Sequence, residues 1–231
     1  MAVEFGFLPP PTPPYGVVVA GGDLEEPDLR VEAARLARGA ALCVAADGGL
    51  RLLRAAGCWP HVLVGDFDTL SPAEVEAARA AGVEIARFPT RKDATDAEIA
   101  LDVVTRRLGT APVFLVGGVG DRVDHSLANL LMAARLCLQG RRVAVLAGPA
   151  HVAPLIGPGT VRFAGRPGQP VSLIPLTPRM TGVTTSGLAY PLRDATLRFG
   201  TTFTVSNELA AAEGSFSART GRALVVLQRR P

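Results

Sequence analysis

The sequence predicts an α/β domain built on a mostly parallel sheet, followed by an all-β unit. Three observations predict it. From Tyr15 to about Gly148, short β-branched apolar runs alternate with longer Ala/Leu/Arg stretches of helical period. After Gly148 the helical period disappears, and short strand-like runs are punctuated by Gly, Pro, Ser and Thr. The chain has 231 residues, 48% of them hydrophobic, which is enough for one large core or two smaller ones and too apolar for a disordered chain.

Residues 1–14 end in Pro-Pro-Pro-Thr-Pro-Pro, which cannot build a helix interior or a central strand, and are expected to form a loosely ordered leader. Strands follow at 17–20, 41–45, 61–64, 83–86, 113–116 and 143–146. Helices are expected between them at 28–38, 49–56, 72–81, 95–108 and 125–139. Such alternation implies a sheet covered on both faces, in a domain running over 15–148. Over 149–231, strand-like runs at 171–175, 197–199, 202–205 and 223–227 imply a β-sandwich.

Composition removes several classes of function. Twenty-four basic against 21 acidic residues leave a net charge of +3, too small and too scattered for a nucleic-acid footprint. Small polar or anionic ligands fit better. No apolar run approaches the roughly 20 residues that span a bilayer, and the N-terminus lacks the pattern of a secretory signal. Cys43, Cys58 and Cys137 are odd in number, widely spaced and set in apolar runs, so they form neither a disulfide framework nor a zinc pattern. A reducing, cytoplasmic setting is expected. Among the basic residues, 23 are Arg and Lys92 is the single Lys. An ammonium and a guanidinium are not interchangeable at a phosphate, which singles out Lys92.

The acids are placed unevenly. Of 11 Asp, eight lie between residues 47 and 124, and seven of these follow the end of an expected strand. In an open parallel sheet, ligands bind outside the carboxyl ends of the strands, so these carboxylates are expected to share a crevice. Asp47, in Ala-Ala-Asp-Gly-Gly, either caps the following helix or faces a ligand beside glycines that let backbone approach closely. Asp66 and Asp68 flank Phe67 after the third strand. In extended backbone two such side chains point the same way, with Gly65 leaving room beside them. Like charges so close repel unless a cation lies between them, and hard oxygen ligands suit Mg²⁺ shared with substrate phosphates. A solvated Asx-turn, with Ser71 opening the next helix, is the alternative.

Thr95 and Glu98 form a capping box, which leaves Lys92, Asp93 and Asp96 to be explained, Asp96 being also suited to a first helical turn. The fifth strand runs into Gly117-Gly118-Val119-Gly120-Asp121-Arg122-Val123-Asp124-His125. This is no dinucleotide fingerprint, because Val123 stands where the third Gly belongs, and no P-loop occurs. A flexible Gly loop at a helix N-terminus suits phosphate, with Arg122 as a fork for its oxygens. His125 and Asn129 share one helical face.

The strings AADGGL (45–50), GDFDTL (65–70), KDATDAEIAL (92–101), GGVGDRVDHSLANL (117–130), GLAYPL (187–192) and SNE (206–208) resemble, in order, those of the thiamine pyrophosphokinases. The likeness covers nearly the whole chain after the leader. It implies an α/β domain followed by a β-sandwich, in a homodimer that shares its active sites. It also implies transfer of a pyrophosphoryl group from ATP to the hydroxyl of thiamine, giving thiamine diphosphate and AMP. Asp47, Asp66, Asp68 and Asp96 match the family's functional acids, with Asp66, Asp68 and Asp96 as Mg²⁺ ligands. Gly117, Gly118, Arg122, Asp124, His125 and Asn129 match its nucleotide loop, and Ser206 and Asn207 its thiamine segment. Lys92 and Arg122 would offset charge near the migrating group. Asp47 and Asp96 remain alternative partners for the thiamine hydroxyl. Two other readings stay open: the same ATP chemistry on another alcohol such as a hydroxymethylpterin, and a non-catalytic sensor of nucleotide or thiamine diphosphate.

Overall fold

The computed structural model describes residues 2–6, 13–21, 27–89 and 93–229. The chain divides into two compact units: Pro10–Met132 with Val145–Gly148, and Met1–Pro9 with Ala133–Ala144 and Pro149–Pro231. Among the described residues no helix is long and apolar enough to cross a membrane.

The strands of the first unit begin with β2 (Gly16–Val19), which is fully buried, as are β3 (Leu42–Ala46) and β4 (Val62–Gly65). Central parallel strands covered on both faces carry no polar alternation, which is why they read as continuous apolar runs. With β5 (Glu84–Arg87) and β6 (Val113–Val116), they pair in parallel in the order β6-β2-β3-β4-β5. Gly117 donates its N–H to the Leu146 carbonyl of β7 (Val143–Leu146) at 3.0 Å.

Helices cover both faces. Val17 and Val19, Cys43 and Ala45, and Leu63 point to one side, where α1 (Pro27–Gly39), α2 (Gly49–Ala55) and α3 (Pro72–Ala80) bury Leu29, Leu36, Leu50, Leu52, Leu53, Val75 and Ala78 against them. Each of these buried Leu side chains contributes about 1.5–3 kcal/mol of transfer free energy. Val18, Val44, Val62 and Val64 alternate to the opposite face, which α4 (Asp96–Leu108) covers with Val104 standing against Gly16. Ser71 caps α3 through a complete capping box with Glu74, and Thr95 Oγ1 accepts the Glu98 N–H at the start of α4. The last helix, α5, spans Val123–Leu138.

In the second unit, one sheet has the order β13 (Asn207–Glu208), β10 (Pro170–Pro175), β15 (Arg222–Gln228), β8 (Ala150–Ile156), and is antiparallel. The other has the order β1 (Ala2–Gly6), β9 (Gly159–Ala164), β14 (Glu213–Ala218), β11 (Arg179–Ser186), β12 (Ala195–Arg198). Its pairings are antiparallel except for β1, which runs parallel to β9 at the sheet edge. Alternate residues of both sheets, including Leu155, Phe163, Leu173, Met180, Phe216 and Val225, meet in one core, with the Phe163 and Phe216 rings 5.8 Å apart. The architecture is therefore the α/β domain plus β-sandwich that the sequence predicts.

Three local expectations change. Residues 2–6 of the leader form a strand; the proline run begins only after them, and an edge position needs hydrogen bonds on one side alone. Residues 202–205 form turns rather than a strand, because the Thr204 hydroxyl donates to the Leu173 carbonyl at 2.6 Å and bends the segment onto β10. Strands β8, β9, β11, β13 and β14 join the sandwich in addition to those expected.

Candidate active site

Strand order reverses at β2, with β3 on one side and β6 on the other, and the loops leaving β3 and β6 flank that point. Such a crevice is where an open α/β sheet binds ligands. Asp47 leaves β3 and Gly117 leaves β6; Asp66 and Asp68 leave β4, next to β3.

One carboxylate oxygen from each of Asp47, Asp66 and Asp68 lies within 4.8 Å of the other two. Asp47 is only 9% exposed, and its Oδ1 is buried without a hydrogen-bond partner. Oδ2 accepts a hydrogen bond from the Thr69 hydroxyl. Burial pushes the Asp47 carboxyl above the usual carboxylate range. The charges of Asp68 and Asp96 push the same way, against the Thr69 hydrogen bond and the Gly48 backbone. Three convergent carboxylates around an orphaned buried oxygen make a donor set that suits a hard divalent cation such as Mg²⁺.

The backbone at the site is tightly specified. Asp47 has φ 42° and Phe67 φ 65°, both in the left-handed region; Asp tolerates it, whereas Phe there is an outlier held by its surroundings. Phe67 is buried, and the Arg87 guanidinium lies 5.0 Å from its ring centroid. Asp66 and Asp68 are thus brought together by a turn at Phe67, not by extended backbone as the sequence suggests. Within that turn, Asp66 Oδ1 accepts the Asp68 N–H at 3.3 Å, so the Asx-type turn and the convergence of acids coexist. A Cβ at Gly65 would lie 3.2 Å from the Asp47 Cβ, so glycine there makes room for the acid beside it. The cap of α2 is Gly48, with no side-chain cap bond, so Asp47 is not spent on capping that helix.

Asp96 opens α4, is half-buried, and is close enough for its charge to act on Asp47. Lys92 lies outside the described residues. On the loop after β6, buried Asn129 donates from Nδ2 to the Gly118 carbonyl at 2.8 Å. Ser126 Oγ accepts the Gly120 N–H at 3.0 Å. Arg122 is exposed and forks onto Asp124 through bonds of 3.1 and 2.6 Å, which hold the Asp124 carboxyl down at about 2. His125 is exposed. In the second unit, Ser206 is exposed with φ 59°. The Asn207 amide stitches the chain at Tyr190, accepting its N–H at 3.1 Å and donating to its carbonyl at 2.7 Å. Two residues beside the acids receive no role from the sequence: Thr69, although it lies within GDFDTL, and Arg51, which donates to the Thr69 carbonyl at 2.6 Å.

Comparison with known proteins follows the same division. A family model described as thiamin pyrophosphokinase, catalytic domain, matches residues 33–145, and one described as thiamin pyrophosphokinase, vitamin B1 binding domain, matches 160–222. The thiamine pyrophosphokinase of Bacillus subtilis is 26% identical over 186 residues, covering 80% of this chain and 86% of its own. A crystal structure of the B. subtilis thiamine pyrophosphokinase aligns with a TM-score of 0.82 at 25% identity, over 94% of this chain and 100% of that one. One from Geobacillus thermodenitrificans aligns with a TM-score of 0.77 at 28% identity, over 93% and 97%. A thiamin pyrophosphokinase from Candida albicans, at 13% identity, shares the fold with a TM-score of 0.81 over 99% and 92%.

Proposed function

The chain belongs to the thiamin pyrophosphokinase family, an enzyme family of thiamine diphosphate formation, and from that premise we propose that it transfers a pyrophosphoryl group from ATP to the hydroxyl of thiamine, releasing AMP. The observation that carries this reading is the convergence of the Asp47, Asp66 and Asp68 carboxylates at the strand ends of the unit that the catalytic-domain model matches.

Asp66, Asp68 and Asp96 would hold Mg²⁺ together with Asp47, whose oxygens already converge with two of them. When bound, the ion neutralises charge across the ATP phosphates and aligns them for in-line displacement. The loop at Gly117 and Gly118, clamped by Asn129, takes the nucleotide side together with Asp124 and His125. Arg122 can exchange its carboxylate partner for phosphate oxygens, which present the same fork geometry. Lys92, assigned on sequence alone, adds a compact positive charge for the migrating group. The thiamine oxygen bonds to the β-phosphorus, the bond to the bridging oxygen breaks, and AMP leaves with that electron pair. Of the two candidates Asp47 and Asp96, Asp96 takes the hydroxyl proton, since the Asp47 oxygens are engaged by Thr69 and by the cation. Ser206 faces thiamine, and Asn207 shapes that segment through Tyr190.

Exposed Val123, Leu127 and Leu131, spaced four apart on α5, support a homodimer. The three free cysteines support a reducing, cytoplasmic setting. The deciding experiment incubates the protein with ATP and Mg²⁺ and separately with thiamine or a hydroxymethylpterin, following AMP and the diphosphate ester chromatographically. Thiamine-dependent AMP and thiamine diphosphate are expected; AMP release only with the pterin, or none at all, overturns the assignment.

A further inference from the structure

The two oxygens of the Asp47 carboxylate have different surroundings. Oδ2 accepts the Thr69 hydroxyl, while Oδ1 is buried and has no hydrogen-bond partner. Thr69 is itself clamped. Its carbonyl accepts Arg51 Nη2 at 2.6 Å, and Arg51, on α2, forks onto Glu74 of α3 through Nε at 2.7 Å and Nη2 at 3.0 Å. Glu74 also takes the Ser71 N–H at 2.8 Å and the Ser71 hydroxyl at 2.9 Å. The loop carrying Asp66 and Asp68 is thereby tied at its far end to two helices. The Arg51 and Glu74 side chains are 43% and 34% exposed, so the pair adds little stability. What it constrains is where the Thr69 hydroxyl stands.

A hydroxyl is the donor this position needs. A Lys or Arg there would neutralise Asp47 and compete with a cation, whereas a neutral O–H fixes the rotation of the carboxylate and leaves its charge in place. Outer partners of this kind orient metal-holding carboxylates.

We propose that Thr69 is a positioning residue of the reaction: held by the Arg51–Glu74 brace, its hydroxyl anchors Asp47 by Oδ2 and reserves Oδ1 for the divalent cation shared with Asp66 and Asp68. The inference rests on reading this cluster as the cation site of pyrophosphoryl transfer. The test compares wild type, Thr69→Val, Thr69→Ser and Arg51→Met. Mn²⁺ binding to the nucleotide-free protein is followed by the spectroscopic signal of free Mn²⁺, and melting of the metal-free protein is recorded in parallel. Thr69→Val, nearly isosteric, should weaken Mn²⁺ binding about tenfold or more, with the serine variant returning to within about twofold of wild type. Metal-free Tm of Thr69→Val should fall by several degrees, because the buried Asp47 loses its Oδ2 donor, and should return toward wild type in Thr69→Ser, so the Mn²⁺ comparison is made on folded protein. Wild-type Mn²⁺ affinity in Thr69→Val, or a serine variant as weak as the valine one, overturns the positioning role. If the valine variant does not fold, Arg51→Met decides, unchanged Mn²⁺ affinity overturning the proposal and a several-fold loss supporting it. Failure of wild type itself to bind Mn²⁺ removes the underlying cation-site reading instead, so the two failures are told apart.

Discussion

A Cβ placed on Gly49 would lie 1.9 Å from the carbonyl oxygen of Val19, so the first turn of α2 sits directly on the backbone of β2. That contact is backbone against backbone and has no flexible end that could yield. Gly49→Ala is expected to destabilise the protein by about 3 kcal/mol, through forced separation of α2 from the sheet. Denaturant unfolding measures it, and a change below about 0.5 kcal/mol would show that the helix can ride outward freely.

Asp66→Asn removes one member of the converging acids without changing size. Turnover should fall by roughly a hundredfold or more, on the order of 3 kcal/mol of lost transition-state stabilisation. Steady-state AMP release across a Mg²⁺ titration tests this. Wild-type kcat with an unaltered Mg²⁺ dependence counts against a cation at the cluster.

Asp47→Asn should separate activity from stability. Burial together with the charges of Asp68 and Asp96 raises the folded-state carboxyl above its ordinary value, so the charged form is disfavoured in the folded protein. The penalty is fully present above the raised value and vanishes once pH falls below the ordinary 3.8, where both states are protonated. The metal-free asparagine variant, which also suits φ 42°, is therefore expected to be more stable than wild type at pH 7, while losing cation binding. That advantage should disappear near pH 3. Melting curves at both pH values check it, and a less stable variant at pH 7 would refute it.

Asp124 titrates in the opposite direction. Its fork with Arg122 lowers the carboxyl from 3.8 to about 2, so the pair persists through that window and is lost only below it. Both side chains are more than 60% exposed, so the effect on stability is small. Carboxyl-resolved NMR should show the low titration in wild type and a return toward 3.8 in Arg122→Gln. Saturating ATP should produce the same return if Arg122 transfers to phosphate.

Asn129→Leu removes the amide that holds the Gly118 carbonyl and leaves a buried acceptor unsatisfied, at about 1–3 kcal/mol. The KM for ATP should rise with little change in the KM for thiamine. Equal effects on both substrates would mean that the loop serves general folding rather than the nucleotide.

The parallel strands were legible because burial on both faces erases alternation, and Val17–Val19 or Leu42–Ala46 can hardly be read otherwise. The sandwich strands were harder. Pro154 interrupts β8 and Gly182 interrupts β11, where the register also shifts, so the period-two signal breaks inside the elements. Residues 202–205 misled for the converse reason: Thr-Phe-Thr-Val alternates like a strand, yet a side-chain bond to Leu173 bends it. In the site, individual acids stood out by their place after strands. That these acids share a crevice was readable from their place after strands; that Asp47, Asp66 and Asp68 bring oxygens within 4.8 Å of one another was not, because it depends on β3 and β4 being neighbours and on Phe67 adopting a left-handed turn.

The strand order carries a consequence for assembly. From Gly16 to Arg87, β2 to β5 are added one beside the next, each pairing with its immediate predecessor, whereas β6 must travel back past three strands to reach β2. Short-range closures cost less chain entropy and happen sooner. The half of the sheet that brings three negative charges together is therefore poised to form first, ahead of the strand that carries the glycine-rich loop. During that interval the nascent cluster has only solvent counter-ions to hold it, and free divalent salt should hasten its consolidation.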